Sequence, residues 1–174
     1  ELVLDRAFAD LRPEEAVVFL RQPDGELTRV AQRRLPGLGG QFLYSRSLAR
    51  AVTEKGLAAL VEDTSADERF NRAESIMSAG VRSLVAAPLL DSEGCPGLIV
   101  LNSRIHVRRF SEQDMEELVF LAAAAAMRIR NIALADEAAK RQLLEKELAL
   151  ARQIQMALLP AELPAVPGFE LRAS

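Results

Sequence analysis

The 174 residues carry 22 Lys and Arg against 25 Asp and Glu, and the resulting net charge of −3 and pI near 5.4 give no electrostatic case for nucleic acid. A single cysteine, Cys95, excludes a disulfide framework or a cysteine-based metal cluster and fits a reducing, cytoplasmic setting. With 49% apolar residues there is enough for one compact domain plus an extension, while no run is expected to supply the roughly 20 apolar residues of a membrane span, so no membrane is expected.

In chain order, Leu2 to Leu11 reads as a short amphipathic helix with Leu4, Phe8 and Leu11 on one side, ended by Arg12-Pro13. Ala16 to Arg21 reads as a buried strand, Pro23-Asp24-Gly25 as a turn and Leu27 to Ala31 as the returning strand of a hairpin. After the Leu35–Gly40 loop, Ser47 to Lys55 has helical spacing and ends at Gly56, a natural C-cap. Leu57 to Val61 follows as a strand that carries Glu62-Asp63-Thr64 to the sheet edge. Residues 67–80 read as a turn and a short helix. Val81 to Leu90 and Gly97 to Ser103 are then two strands about an Asp91-Ser92-Glu93-Gly94 turn. This order predicts an α+β domain with a mostly antiparallel sheet and helices on its faces.

The chain is dominated by what comes next. From Phe110-Ser111-Glu112 to Leu158-Leu159-Pro160 there is neither proline nor glycine, so one helix of about 70 Å is expected at about 1.5 Å per residue. Ser111 and Asp114 form an acidic variant of the capping box, and Pro160 stops the helix. Leu118 to Ile132 is apolar nearly all round, as in a helix buried against a sheet or partner. Beyond Asp136 the composition turns charged, and Leu144, Leu148, Ala151, Gln155 and Leu158 recur in steps of four and three. Such a stripe predicts a short coiled coil, hence a homodimer through this helix, the alternative being a single helix folded back on its own domain.

Several strings, in this order and spacing, resemble a GAF domain, a small ligand-sensing module of signalling proteins. They are Val61-Glu62-Asp63-Thr64, then Gly80-Val81-Arg82-Ser83-Leu84-Val85-Ala86-Ala87-Pro88-Leu89, then Gly97 to Leu101, and Phe110 to Asp114 at the start of the last helix. The resemblance implies a GAF-like, profilin-like antiparallel sheet and a sensor domain over residues 1–133. It further implies a ligand pocket on one sheet face, which carried onto this chain selects Val61, Asp63, Phe70, Ser75, Ile76, Arg82 and Val85. The same residues would serve ordinary packing, with Phe70 and Ile76 as apolar plugs and Arg82 paired to Asp63 or another acid. Asn71-Arg72-Ala73-Glu74 does not reproduce the pattern of cyclic-nucleotide-binding members, so the small-molecule ligand is left unidentified.

A second resemblance lies downstream. Leu150-Ala151-Arg152-Gln153-Ile154-Gln155-Met156-Ala157-Leu158-Leu159-Pro160, followed by Leu163-Pro164 and Pro167 to Leu171, is similar to the junction that opens bacterial PPM-type serine phosphatases of the stage II sporulation E-like family. It implies a coiled-coil signalling helix over 134–159 and the start of a truncated phosphatase domain over 160–174. That family uses paired Mn or Mg ions held by aspartates, expected beyond Ser174, on phosphoprotein substrates that include anti-sigma-factor antagonists. The residues present offer no cofactor set and no Ser/His/Asp triad, so no activity is expected of the chain by itself. Cys95 beside a turn is poorly placed for a bilin linkage, and His106 lies in a polar loop as a surface residue. The absence of a leading methionine and an ending in mid-pattern read as an excised piece.

Overall fold

The computed structural model describes residues 2–38, 42, 44–64, 81–104 and 109–158. The chain divides into two compact units, Glu1–Arg130 and Asn131–Ser174. The elements are α1 (Leu2–Asp10), β1 (Glu15–Arg21), β2 (Leu27–Arg34), α2 (Arg46–Lys55), β3 (Ala59–Val61), β4 (Val81–Asp91), β5 (Gly94–Arg104) and α3 (Glu112–Leu158). The five strands form one sheet in the order β2-β1-β5-β4-β3, and every neighbouring pair is antiparallel.

Antiparallel sheets commonly leave one face to water, giving alternating sequences. Here both faces are covered, which is why β1, β4 and β5 read as continuous apolar runs. Ala16, Val18, Val85, Ala87, Leu89, Ile99 and Leu101 pack with Leu4, Ala7 and Leu11 of the first helix and with Leu118, Ala122, Ala125 and Ala126 of α3. On the other face Val17, Phe19, Val61, Leu84, Ala86, Leu98 and Val100 pack with Ala49 and Val52 of α2 and with Phe42. The close approach of strands also fixes a glycine. A Cβ on Gly97 would lie 2.0 Å from the Phe19 carbonyl oxygen, so no larger residue fits opposite Leu20 without moving β1.

The local signals read in the sequence are realised as hydrogen bonds. Ser45 caps α2 by accepting the Leu48 N–H at 3.1 Å, and Gly56 ends it at φ 65°, donating to Val52 O. In the β4–β5 turn, Asp91 Oδ1 accepts the N–H groups of Glu93 at 2.7 Å and Gly94 at 3.0 Å. At the start of α3, Asp114 Oδ2 accepts the Ser111 N–H at 2.8 Å while Ser111 Oγ accepts the Asp114 N–H at 3.3 Å. That reciprocal box satisfies donors a helix start otherwise leaves open.

Three expectations need correction. The strand β2 runs on to Arg34, because pairing with β1 continues to Glu15↔Arg34 and an ion pair joins those two residues. The strand β3 is only Ala59–Val61, and Leu57 is exposed. Of the stretch expected to lie against a sheet or partner, Leu118, Ala122, Ala125 and Ala126 are buried, while Phe120 is 76% exposed and Met127 66%. Finally, α3 is by length and composition apolar enough to cross a membrane, contrary to the expectation from the sequence. Within the first unit, however, Leu118, Ala122, Ala125 and Ala126 of that stretch are core residues, and Arg130 is tied to Glu93. The predicted turn and helix at 67–80, His106 and everything from 159 onward lie outside the described residues.

Candidate ligand-binding face

Strand polarity gathers five strand ends at one end of the sheet: the start of β1 and β4 and the finish of β2, β3 and β5. Register then places Glu15, Arg34 and Arg104 on the α2-side face. Glu15 is two residues from Val17 and opposite Arg34 on one side and Asn102 on the other, and Arg104 is two residues beyond Asn102. The Glu15 side chain is only 2% exposed; its Oε1 lies 2.5 Å from Arg34 Nη2 and accepts Gln32 Nε2–H at 2.9 Å, while Oε2 is 3.9 Å from Arg104 Nη2. Beside it, Glu14 Oε2 accepts the Arg104 backbone N–H at 2.5 Å. A buried carboxylate is expensive unless paired and hydrogen-bonded, and two guanidiniums and an amide meet that need here. Arg104 Nε is buried with no hydrogen-bond partner among the described residues.

The residues selected from the sequence divide. Val61 is buried on the α2 side, and Asp63 follows it at the strand end. Asp63 Oδ2 lies 2.8 Å from Arg109 Nη2 and 3.5 Å from Arg82 Nε, so Arg82 does pair with Asp63 and a second arginine joins them. Both guanidiniums are largely exposed and carry further N–H donors, a fork suited to carboxylate or phosphate oxygens. Thr64 closes the strand end, its N–H donating to Arg82 O at 2.8 Å and its hydroxyl to Val81 O at 2.6 Å. Val85 belongs elsewhere. The pairing Val61↔Leu84 and Leu60↔Val85 puts it on the α1/α3 face, so it cannot line a pocket with Val61. Phe70, Ser75 and Ile76 lie outside the described residues.

Under α2 the same face is filled by the chain itself. Phe19, Phe42 and Tyr44 form an aromatic cluster with ring centroids 4.5 to 6.3 Å apart. The cavity left between Tyr44, Leu48, Leu98 and Asn102 is about 10 Å³, room for one water at most. A wider polar cleft of about 550 Å³ lies at the opposite end, between the β1–β2 turn and α2, lined by Arg21, Asp24, Glu26, Tyr44, Arg46, Arg50 and Glu54. Its charges are mixed, and Arg50 Nε is held by Glu54 at 2.7 Å; that carboxylate raises the Arg50 pKa.

Among the described residues no group of three or more His, Cys, Asp or Glu could hold a metal. Cys95 donates to Gly97 O at 3.1 Å, and burial pushes its thiol pKa up, which makes it a poor nucleophile. The arginine forks at Asp63 have the donor chemistry for a carboxylate or phosphate group. Glu14, Glu15, Arg34, Arg104 and Arg109 were missed in the sequence. The signal was there for Glu15: period-two counting back from Phe19 and Val17 lands on it, but an acid ahead of an apolar run reads as solvent-facing.

Comparison with known proteins gives one family match: the GAF domain model covers residues 1–129. Among solved structures, one of a domain of a Sinorhizobium meliloti protein described as a two-component sensor histidine kinase is 26% identical with TM-score 0.59, covering 81% of this chain and 93% of that one. The blue-light absorbing form of the Thermosynechococcus elongatus PixJ GAF domain superposes with TM-score 0.68 at 14% identity, covering 81% and 88%. The GAF domain region of a Geobacter sulfurreducens protein described as a membrane protein gives 0.62 at 19% identity, covering 74% and 88%. No curated protein matches the chain.

Proposed function

This chain belongs to the GAF domain family, a family of regulatory sensor modules, and from that premise we propose that it is the sensor and dimerisation module of a bacterial signalling serine phosphatase. The observation that carries the output assignment is the sequence string Leu150 to Pro160, with its resemblance to the opening of PPM-type phosphatases. On this reading residues 1–133 sense, 134–159 transmit, and 160–174 begin a catalytic domain whose Mn or Mg ions and phosphoprotein substrate, an anti-sigma-factor antagonist, belong to the missing part. The whole is cytoplasmic and not membrane-embedded, supported by Arg128 and Arg130 within the most apolar stretch of α3.

Transmission runs through a parallel homodimer. Leu144, Leu148 and Leu158 are exposed on a single chain, and a second copy would bury them. A seam with Gln155 at a core position is weak, so two packings of similar free energy can be selected by a signal at the domain. The test extends the chain to include the domain that follows. Phosphatase activity on a phosphoserine substrate that needs Mn or Mg is expected, and Leu144→Glu/Leu148→Glu/Leu158→Glu is expected to leave it active but unregulated. No activity in the extended chain would remove the phosphatase assignment.

A second reading is favoured by the filled face under α2: a structural dimerisation module with no ligand. Native mass spectrometry of freshly purified protein separates the two. A stoichiometric extra mass per chain supports the sensor, whereas a bare dimer supports the structural module.

A further inference from the structure

The stripe formed by Leu158, Gln155, Ala151, Leu148 and Leu144 does not stop at Leu144. Continued in the same alternating steps of three and four toward the start of α3, it reaches Arg141, Glu137, Leu134 and Arg130. Beyond these it reaches Met127, Ala123 and Phe120, all exposed in the first unit. One heptad phase thus holds two apolar blocks with a charged stretch between them.

Each charge in that stretch is neutralised inside its own chain. Arg141 Nη2 lies 3.1 Å from Glu137 Oε1, and Arg130 meets both carboxylate oxygens of Glu93 in the β4–β5 turn, Nη1 at 2.6 Å from Oε2. Two identical chains side by side in register would bring Glu137 to Glu137 and Arg141 to Arg141, where bare like charges repel. In-chain pairing lets the copies approach there without making that stretch attractive. The flanking charges speak to orientation. Lys140 and Glu147 each precede a seam residue and stand five residues before Glu145 and Arg152. In a parallel, in-register pair this spacing sets Glu147 against Arg152 of the second copy, and Lys140, itself 2.6 Å from Asp136 of its own chain, against Glu145, both of opposite sign.

Resting on the homodimer reading above, we propose that a second copy of this chain docks in parallel along two separate apolar blocks, Phe120–Met127 and Leu144–Leu158, joined by a charged segment at Arg130–Arg141 that acts as a loose joint. The joint contributes little to association, so the register of one block does not dictate that of the other. A change at the β4–β5 turn that freed Arg130 from Glu93 would put an unneutralised charge into the seam.

The test uses the whole 174-residue chain with Cys95→Ser. A mixture of Leu134→Cys chains and Leu144→Cys chains, oxidised mildly, should cross-link each variant to itself, since equivalent seam positions face one another. Glu137→Leu/Arg141→Leu should tighten the dimer dissociation constant by about tenfold or more in sedimentation equilibrium, by making the joint apolar. The swap Glu137→Arg/Arg141→Glu, which keeps the in-chain pair, should leave it within about twofold. Preferential Leu134→Cys to Leu144→Cys linkage, or a dimer indifferent to the leucine pair, would overturn this inference alone. A chain that stays monomeric at every concentration would remove the homodimer reading and the inference together.

Discussion

The two parts of α3 that fall in different units are held helical by different forces. In the first unit Leu118, Ala122, Ala125 and Ala126 belong to the core cluster that also holds residues of β1, β4 and β5. In the second unit every described residue is exposed, and the contacts present are in-chain ion pairs, Asp136 with Lys140 and Glu137 with Arg141. Helices in proteins draw most of their stability from packing of an apolar face, and exposed pairs on one helix add little to it. The difference teaches that continuity of a helix is no measure of uniform stability. The sharpest way to break the comparison is one leucine from each part. Leu118→Ala should lower unfolding stability by about 3 kcal/mol, read from urea denaturation, because it opens a cavity in the core. Leu148→Ala should leave the unfolding midpoint of the first unit unchanged and alter only association. Equal losses would mean that the second part is packed as the first is.

A smaller effect sharpens the boundary at the helix start. Ser111→Ala removes the acceptor for the Asp114 N–H and one partner of the Asp114 carboxylate, so a loss of about 1 kcal/mol is expected by the same denaturation. Ser111→Asn should recover most of it, as a residue able to cap in the same way. A loss that Asn fails to recover would assign the serine some role other than capping.

Legibility in the sequence followed the range of the interactions. The cap at Ser111, the C-cap at Gly56 and the turn at Asp91–Gly94 depend on residues within four positions of each other, and each stands where its local chemistry put it. Facing direction did not. Val61 and Val85 differ in face only through the register Val61↔Leu84, a pairing between strands that residues 62–80 separate along the chain. An irregularity between Val81 and Ser83 adds to this, bringing Val81 and Leu84 to one face despite their odd spacing. Burial of Glu15 was hidden for the same reason, since its neutralising partners Arg34 and Arg104 come from two other strands. The sensor family was legible because its strings are local; the polar layer that shapes the candidate site was not, because it is assembled across the sheet.

Ion pairs make the finest version of the comparison. Arg130, in the first unit, grips the Glu93 carboxylate at the tip of the β4–β5 turn with two nitrogens, and both ends are fixed by packed elements. Both side chains are still reached by solvent, so Arg130→Gln should cost about 0.5 kcal/mol, less at high salt. Lys140 and Asp136 also lie close, 2.6 Å apart, but on a wholly exposed turn of helix. The hydrogen bond that Lys140 donates to Asp136, and then the carboxylate's charge, raise the Lys140 pKa. A raised value means that the pair contributes below the ordinary lysine range and is lost as pH climbs through the elevated one. Lys140→Gln should therefore change nothing measurable in urea unfolding. Its trace should be confined to the circular dichroism of the intact chain at low salt: at neutral pH the variant is slightly less helical than the parent, and the gap closes as pH rises past the lysine range. A gap that persists at high pH, or one insensitive to salt, would show that Lys140 supports the second part of α3 by something other than its charge.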